Sequence, residues 1–84
     1  MASIRHATDR DLVEIREYVK RHKRTCGLEG ADAVVAIEDD RMIAFGILQR
    51  KDPTPCVTIR ELRRGKGLGT LIASHLMEYA GPKQ

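Results

Sequence analysis

The stretch that decides the fold of this 84-residue chain is Arg64-Gly65-Lys66-Gly67-Leu68-Gly69. It follows an alternating run, residues 56–59, that predicts a strand, and it opens a periodic apolar run that predicts a helix ending at Ala80. The first N–H groups of such a helix have no partner within the helix, and the helix dipole favours an anion beside them. Glycines let the main chain approach that anion because they carry no Cβ. The stretch therefore predicts a phosphate-binding turn.

The spelling of the turn excludes two common phosphate loops. A Walker loop needs Ser or Thr after Gly-Lys, where this chain has Gly67, and a dinucleotide fingerprint needs a last glycine where it has Thr70 or Ile72. What remains is Arg-x-x-Gly-x-Gly, with Arg64, Gly67 and Gly69 in the fixed positions. This pattern resembles the acyl-CoA pyrophosphate loop of the GCN5-related N-acetyltransferases. The alternative interpretation is an ordinary strand-to-helix turn.

The N-terminal third predicts a strand followed by an amphipathic helix. Residues 3–8 are of strand type, Thr8 or Asp9 is the expected N-cap, and Asp11 lies three residues after Thr8 as in a capping box. Residues expected on the apolar face of this first helix are Leu12, Ile15, Val19 and His22. Residues 25–32 contain two glycines and predict a loop, with room for a remnant of another helix.

The middle of the chain predicts a β-hairpin. Residues 33–38 and 42–48 are apolar runs of strand length, and residues 39–41 form a polar turn between them. Gly46 interrupts the second run and indicates a bulge or a close backbone approach. A helix follows the fourth strand and the glycine-rich turn. Its expected apolar side is Leu68, Leu71, Ile72, His75, Leu76 and Tyr79.

These elements together predict one domain, residues 1–84, of the α+β class. We expect a four-stranded, mainly antiparallel sheet with helices on both faces, in the order strand, helix, three strands, helix. That order is similar to the N-terminal half of the N-acetyltransferase fold. The resemblance covers nearly all of this sequence but only about half of the family's fold, since the second half would follow Gln84.

Bulk composition excludes several classes of protein. No apolar run reaches membrane-spanning length and no signal-peptide core follows Met1, so a soluble, cytoplasmic protein is expected. Cys26 and Cys56 lack metal-ligand spacing and are expected to be free thiols, and no metal site is predicted. The net charge of +3 comes partly from residues 20–24, which are interpreted as a solvated helix end rather than a nucleic-acid surface.

The resemblance implies acetyl-CoA as the cofactor and supplies its contacts. In the family, the pantetheine arm pairs with the backbone of the fourth strand and the main chain of the turn wraps the pyrophosphate. The implied binding residues here are Val57, Thr58, Ile59, Arg64, Gly65, Lys66, Gly67, Leu68, Gly69 and Thr70. Charge-assisted contacts are expected from Lys66, with Arg63 as a second candidate.

The resemblance does not supply catalytic residues. The family's carboxylate position falls near Asp52, where no glutamate occurs, and Glu61 is interpreted as a solvated loop residue. His75 is interpreted as a packed, hydrogen-bonded histidine, and Tyr79 lies in the wrong element to act as the family's acid. The catalytic set is therefore unknown, and enzyme activity is left open.

Three functions stay open at this point. The first is an N-acetyltransferase that transfers an acetyl group to an amine of unknown identity. The second is a non-catalytic acyl-CoA-binding or regulatory module, and the third is a fragment of a longer acetyltransferase. Because the fourth strand would be an exposed sheet edge, a homo-oligomer that completes this edge is also expected.

Overall fold

The computed structural model describes residues 2–22, 27–50, 54–63 and 67–79. Its elements are β1 (Ser3–His6), α1 (Asp9–Arg21), β2 (Ala31–Glu38), β3 (Arg41–Gln49), β4 (Cys56–Glu61) and α2 (Leu68–Tyr79). The four strands form one sheet in the order β1-β2-β3-β4, and every neighbouring pair is antiparallel. The predicted α+β fold with an antiparallel sheet is confirmed.

A capping box fixes the start of α1. Thr8 is the N-cap; its Oγ1 accepts a hydrogen bond from the N–H of Asp11 at 3.2 Å, and its own N–H donates to Oδ2 of Asp11 at 2.8 Å. Arg5 of β1 donates to the same carboxylate oxygen. Of the two N-caps that the sequence left open, Thr8 is therefore the correct one, and Asp11 also ties the helix to the first strand.

The core-facing side of α1 contains three of the four predicted residues, with Tyr18 in addition. Ile15 is fully buried, while Leu12 and Val19 are half-buried against the same cluster. The prediction that His22 lies on this apolar face is wrong. His22 is the exposed C-cap residue, and its ring stacks on Tyr18 with centroids 4.1 Å apart.

The turn of the β2–β3 hairpin contains two residues rather than the predicted three, since Arg41 already belongs to β3. Asp39 and Asp40 have φ values of +52° and +61°. Positive φ at both central residues is the geometry of a type I′ turn, whose twist matches that of the flanking strands.

The β-bulge of β3 lies at Ile43 rather than at Gly46. Ala36 faces Ala44 and Ile37 faces Met42, so Ile43 is an extra residue without a partner in β2. The carbonyl of Ile43 accepts hydrogen bonds from two N–H groups that follow β4. The bulge therefore anchors the segment in which the chain leaves the sheet.

Gly46 is the site of a close helix approach. A Cβ on Gly46 would lie 2.7 Å from Cδ1 of Leu76 and nearer still to Cγ2 of Ile72. The sequence left open a bulge or a close backbone approach at Gly46; the atoms that lie close to it belong instead to side chains of α2. Without a side chain at this position, α2 lies directly on the sheet.

Both faces of the sheet carry a core, as predicted. The α2 side contains Val34, Ala36, Ile43, Ala44, Leu48, Leu68, Ile72 and Leu76. The α1 side contains Ile15, Val35, Phe45 and Ile47. Phe45 is fully buried and meets Tyr18 edge to face, with ring centroids 5.2 Å apart. Leu71, predicted on the apolar side of α2, is half exposed.

The cysteine prediction needs correction. Cys56 takes part in a disulfide bond, so the prediction of a free thiol at this position is wrong, and Cys26 lies outside the described residues.

The described part of the predicted 25–32 loop holds a turn at residues 29–30 and no helix. Neither of the two described helices is long and apolar enough to cross a lipid bilayer.

Candidate functional site

The start of α2 is the candidate anion site. Gly67 precedes the helix with φ +62°, and nothing lies within 4 Å of the place a Cβ would occupy. Arg64, Gly65 and Lys66 lie outside the described residues. Leu68, Gly69 and Thr70 form the first turn of the helix. Gly67 therefore presents an open backbone, in the left-handed conformation that glycine adopts without strain.

A carboxylate already lies at this helix start. Oε1 of Glu61 accepts from the N–H of Leu68 at 3.4 Å, and Oε2 accepts from the N–H of Gly69 at 3.3 Å. Glu61 is exposed, as expected, but the interpretation as a solvated loop residue is wrong: Glu61 is the last residue of β4, and its carboxylate is directed to the helix. Two of the N–H groups predicted to hold a diphosphate thus donate to an anionic side chain of the protein itself.

Gly69 makes this arrangement sterically possible. A Cβ on Gly69 would lie 3.2 Å from Oε2 of Glu61 and 3.9 Å from Cγ2 of Ile59. The first distance is tighter than ordinary van der Waals contact, so a side chain here would crowd an oxygen at the helix start. The glycine therefore leaves room for the carboxylate of Glu61; the close approach of a phosphate stays a prediction.

The hydrogen-bond pattern of β4 can be read from one bond. Glu61 lies opposite Ala44, and the N–H of the next residue, Leu62, donates to the carbonyl of Ile43 at 2.8 Å. This bond joins Ile43 and Leu62, and in an antiparallel ladder the neighbouring pair, Ala44 and Glu61, then exchanges no backbone hydrogen bonds. Residues 56, 58 and 60 of β4 therefore exchange backbone hydrogen bonds with β3. Residues 57, 59 and 61 direct their N–H and C=O groups away from β3.

Two of the three predicted pantetheine contacts face the outer edge. Within the described part of the chain, β4 has a neighbour on one side only. Val57 and Ile59 direct their backbone groups to the open side. Thr58 instead pairs with β3, and it is buried, with 5 % of its surface exposed. Nη1 of Arg60 donates to the carbonyl of Ile59 at 3.0 Å, which fits an outward carbonyl.

The described cations near the site are partly engaged. Nη1 of Arg63 donates to Oε1 of Glu38 at 3.1 Å, in an ion pair that joins the end of β2 to the segment after β4. Arg63 itself is more than half exposed. The candidate phosphate contact of Arg63 would therefore require this ion pair to open or to be shared.

An open cavity of about 680 Å³ lies next to this ion pair. The residues that line it are Glu38, Asp39, Arg41, Met42, Ile43, Leu62 and Arg63. Two acidic and two basic side chains line it, so its charges balance. Its lining includes none of Glu61, Leu68 and Gly69, and its balanced charges give no preference for an anion.

The described residues hold no recognisable acid–base pair. Nδ1 of His75 lies 2.9 Å from the carbonyl of Leu71, one helical turn earlier, in keeping with the predicted structural role. Asp52 and the side chain of Tyr79 lie outside the described part of the chain. Among the residues described, no three His, Cys, Asp or Glu side chains come together in a way that could hold a metal ion.

The pKa of the Asp11 carboxyl is lowered, and this residue belongs to the α1 cap. Burial raises its pKa, but hydrogen bonds from Arg5 and from the N–H and hydroxyl of Thr8 outweigh burial and lower it below the ordinary value. The perturbation therefore has a structural cause, the capping box, and does not mark a catalytic group.

Comparison of the chain with protein-family models, curated proteins and solved structures finds no match. The likeness to N-acetyltransferases therefore rests on the glycine-rich turn and the order of the elements.

Proposed function

We propose that this chain binds coenzyme A or an acyl-CoA, with the diphosphate at the start of α2. The observation that carries the proposal is the carboxylate of Glu61 on the N–H groups of Leu68 and Gly69. An anionic group occupies the place where the Arg-x-x-Gly-x-Gly pattern predicts one, and the positive end of the helix dipole stabilises it there.

The proposed pantetheine contacts follow from the open edge of β4. Val57 and Ile59 offer two outward pairs of N–H and C=O groups, about 7 Å apart along the strand. An amide-containing arm laid beside β4 could pair with both as an added strand would. Arg64, Gly65, Lys66 and Gly67 are carried into this site from the sequence pattern.

In the N-acetyltransferases that the turn resembles, this cofactor serves acetyl transfer to an amine, and the proposal extends to that activity for this chain. One observation favours the second candidate, a non-catalytic acyl-CoA-binding module. The carboxylate nearest the site, Glu61, is engaged on the helix, and His75 hydrogen-bonds within α2. Neither group is placed as a free general base.

A homo-oligomer joined at the β4 edge and a cytoplasmic location also belong to the proposal. Val57 is 55 % exposed on this edge, which favours association.

The disulfide at Cys56 is an observation against the cytoplasmic location, because disulfides persist mainly in oxidising environments.

Calorimetry with coenzyme A tests the binding site. Gly67→Glu should abolish binding, because it places a carboxylate and a strained residue at the start of α2. Gly30→Glu is the matched control, since Gly30 also has a positive φ, +64°, and open space around it. Coenzyme A binding that survives Gly67→Glu, or that is lost equally in Gly30→Glu, would contradict the proposed site.

Release of free thiol from acetyl-CoA separates the two candidates. Turnover with a panel of primary amines supports the acetyltransferase. Coenzyme A binding without turnover over that panel supports the non-catalytic module. As a binding readout independent of calorimetry, ligand at 100 times its Kd should stabilise the protein by about 2.7 kcal/mol.

A further inference from the structure

We infer that Glu61 regulates the proposed site: its carboxylate is an internal competitor that an incoming diphosphate must displace. This inference rests on the proposed function and adds a regulation to it. The start of α2 would then never be an empty anion site. It would exchange one negatively charged group, supplied by β4, for another supplied by the ligand.

The geometry places Glu61 at the helix start by way of the sheet. Glu61 is the last residue of β4, and it follows Ile59 by two positions. Alternate residues of a strand share a face, and Ile59 packs into the core on the α2 side. The side chain of Glu61 therefore leaves the sheet on the side of α2, where its two oxygens meet two successive backbone N–H groups.

The helix itself offers no substitute for this carboxylate. The first turn of α2 contains no acidic residue, whereas the first turn of α1 contains Asp9 and Asp11. Negative charge in the first turn of a helix stabilises it. In α2 that charge is supplied by Glu61, from a different element, so the group that caps the helix can leave without unfolding it.

The contact is built to be reversible. The two hydrogen bonds are long, 3.4 and 3.3 Å, and the residue is exposed, so the carboxylate can rotate into water at small cost. A diphosphate that takes these N–H groups still lies close to the displaced negative charge. Both the competition and this repulsion lower the affinity of the unmodified protein for an anionic ligand.

The experiment compares three proteins by calorimetry with coenzyme A. Glu61→Gln keeps the shape of the side chain and removes its charge. Glu78→Gln removes the same charge at the other end of α2, ten residues or about 15 Å along the helix from Leu68. We expect Glu61→Gln to bind coenzyme A about two- to fivefold more tightly than the unmodified chain, the range of one helix-terminus charge. Glu78→Gln should leave the affinity within the measurement error.

A second measurement separates regulation from simple capping. Thermal melts without ligand should show Glu61→Gln slightly less stable than the unmodified protein, and its gain on adding coenzyme A should be larger. Glu61→Ala, which also removes the neutral acceptor, should show the same signs. Amide exchange at Leu68 and Gly69 should be faster in both variants without ligand, and slowed by ligand.

The outcomes distinguish this inference from the proposed function. If the unmodified chain binds coenzyme A and Glu61→Gln binds it equally or more weakly, the competitor role is wrong and the proposed function stands. An equal gain in Glu61→Gln and Glu78→Gln also overturns it, since net charge would then explain the effect. If none of the three proteins binds coenzyme A, both are wrong.

Discussion

Gly46 of β3 lies directly beneath Leu76 of α2, with no room for a side chain between them. A Cβ on this glycine would come within 2.7 Å of Cδ1 of Leu76 and closer still to Ile72. Both contacted residues are buried, Ile72 completely. The distance between helix and sheet on this face is thus set by the absence of one methyl group.

Gly46→Ala should destabilise the fold by about 1–3 kcal/mol, because the added methyl group overpacks a core that cannot easily move. Urea unfolding measures the loss. Gly27→Ala is the matched control: its Cβ would lie 3.5 Å from the amide of Gln49, an ordinary contact, and its effect should be within about 0.5 kcal/mol. Equal stability of the Gly46→Ala protein and the unmodified protein would show that α2 can shift.

Asp11→Asn should weaken the fold by about 1–3 kcal/mol at neutral pH, since the carboxylate accepts hydrogen bonds from Arg5 and Thr8. The pKa of Asp11 is lower in the folded than in the unfolded state. Its contribution is therefore complete above the unfolded pKa of about 3.9 and is lost as the pH falls through the folded value.

Denaturation at a series of pH values checks this assignment. The difference in stability between Asp11→Asn and the unmodified protein should persist from pH 7 to 5 and shrink as the pH falls below about 4. Asp9→Asn, an exposed carboxylate in the same helical turn, is the control and should have a small effect. A difference that does not depend on pH would point to altered packing at position 11.

Asp40→Gly should stabilise the protein by about 0.5–1 kcal/mol. Asp40 has φ +61°, which glycine adopts without strain, and Asp-Gly is a favoured pair for a type I′ turn. Thermal unfolding gives the shift in Tm. The same substitution at Asp9, the first residue of α1, should lower Tm instead, because glycine is a poor helix residue.

Val57→Lys should suppress any self-association through β4, because lysine on an edge strand opposes pairing with another chain. Val57 and Val13 are almost equally exposed, 55 % and 56 %, but Val13 lies on α1. Val13→Lys therefore controls for the loss of an apolar surface. Sedimentation at micromolar to millimolar concentration measures the effect. Association that persists in Val57→Lys, or a monomer in all three proteins, would contradict a β4 interface.

Local signals in the sequence predicted much of the fold. The capping box at Thr8 depends on residues three positions apart, and the hairpin depends on a short polar turn between two apolar runs. Gly46 stood out because a glycine inside a strand needs a reason. The first two features are determined by residues close together in the chain, which is why a pattern could reveal them. For Gly46 the pattern revealed only the position, because its contacts, Ile72 and Leu76, lie far along the chain.

The features that were missed or misjudged depend on tertiary contacts rather than on a local pattern. The disulfide at Cys56, the ion pair of Arg63 with Glu38 and the hydrogen bonds of Glu61 each depend on tertiary structure. The bulge at Ile43 depends on how two strands align, which the apolar run does not specify. The signal that could have indicated the role of Glu61 is the lack of an acid in the first turn of α2.

The extra residue of β3 has a further consequence. The carbonyl of Ile43 accepts from Leu62 at 2.8 Å and from Arg63 at 3.3 Å, so one oxygen holds two consecutive amides at the point of departure from the sheet. Deleting a single residue at this position would restore even pairing with β2 and withdraw that anchor. The path of the chain toward α2 is therefore determined about twenty residues upstream, by the β-bulge in the neighbouring strand β3.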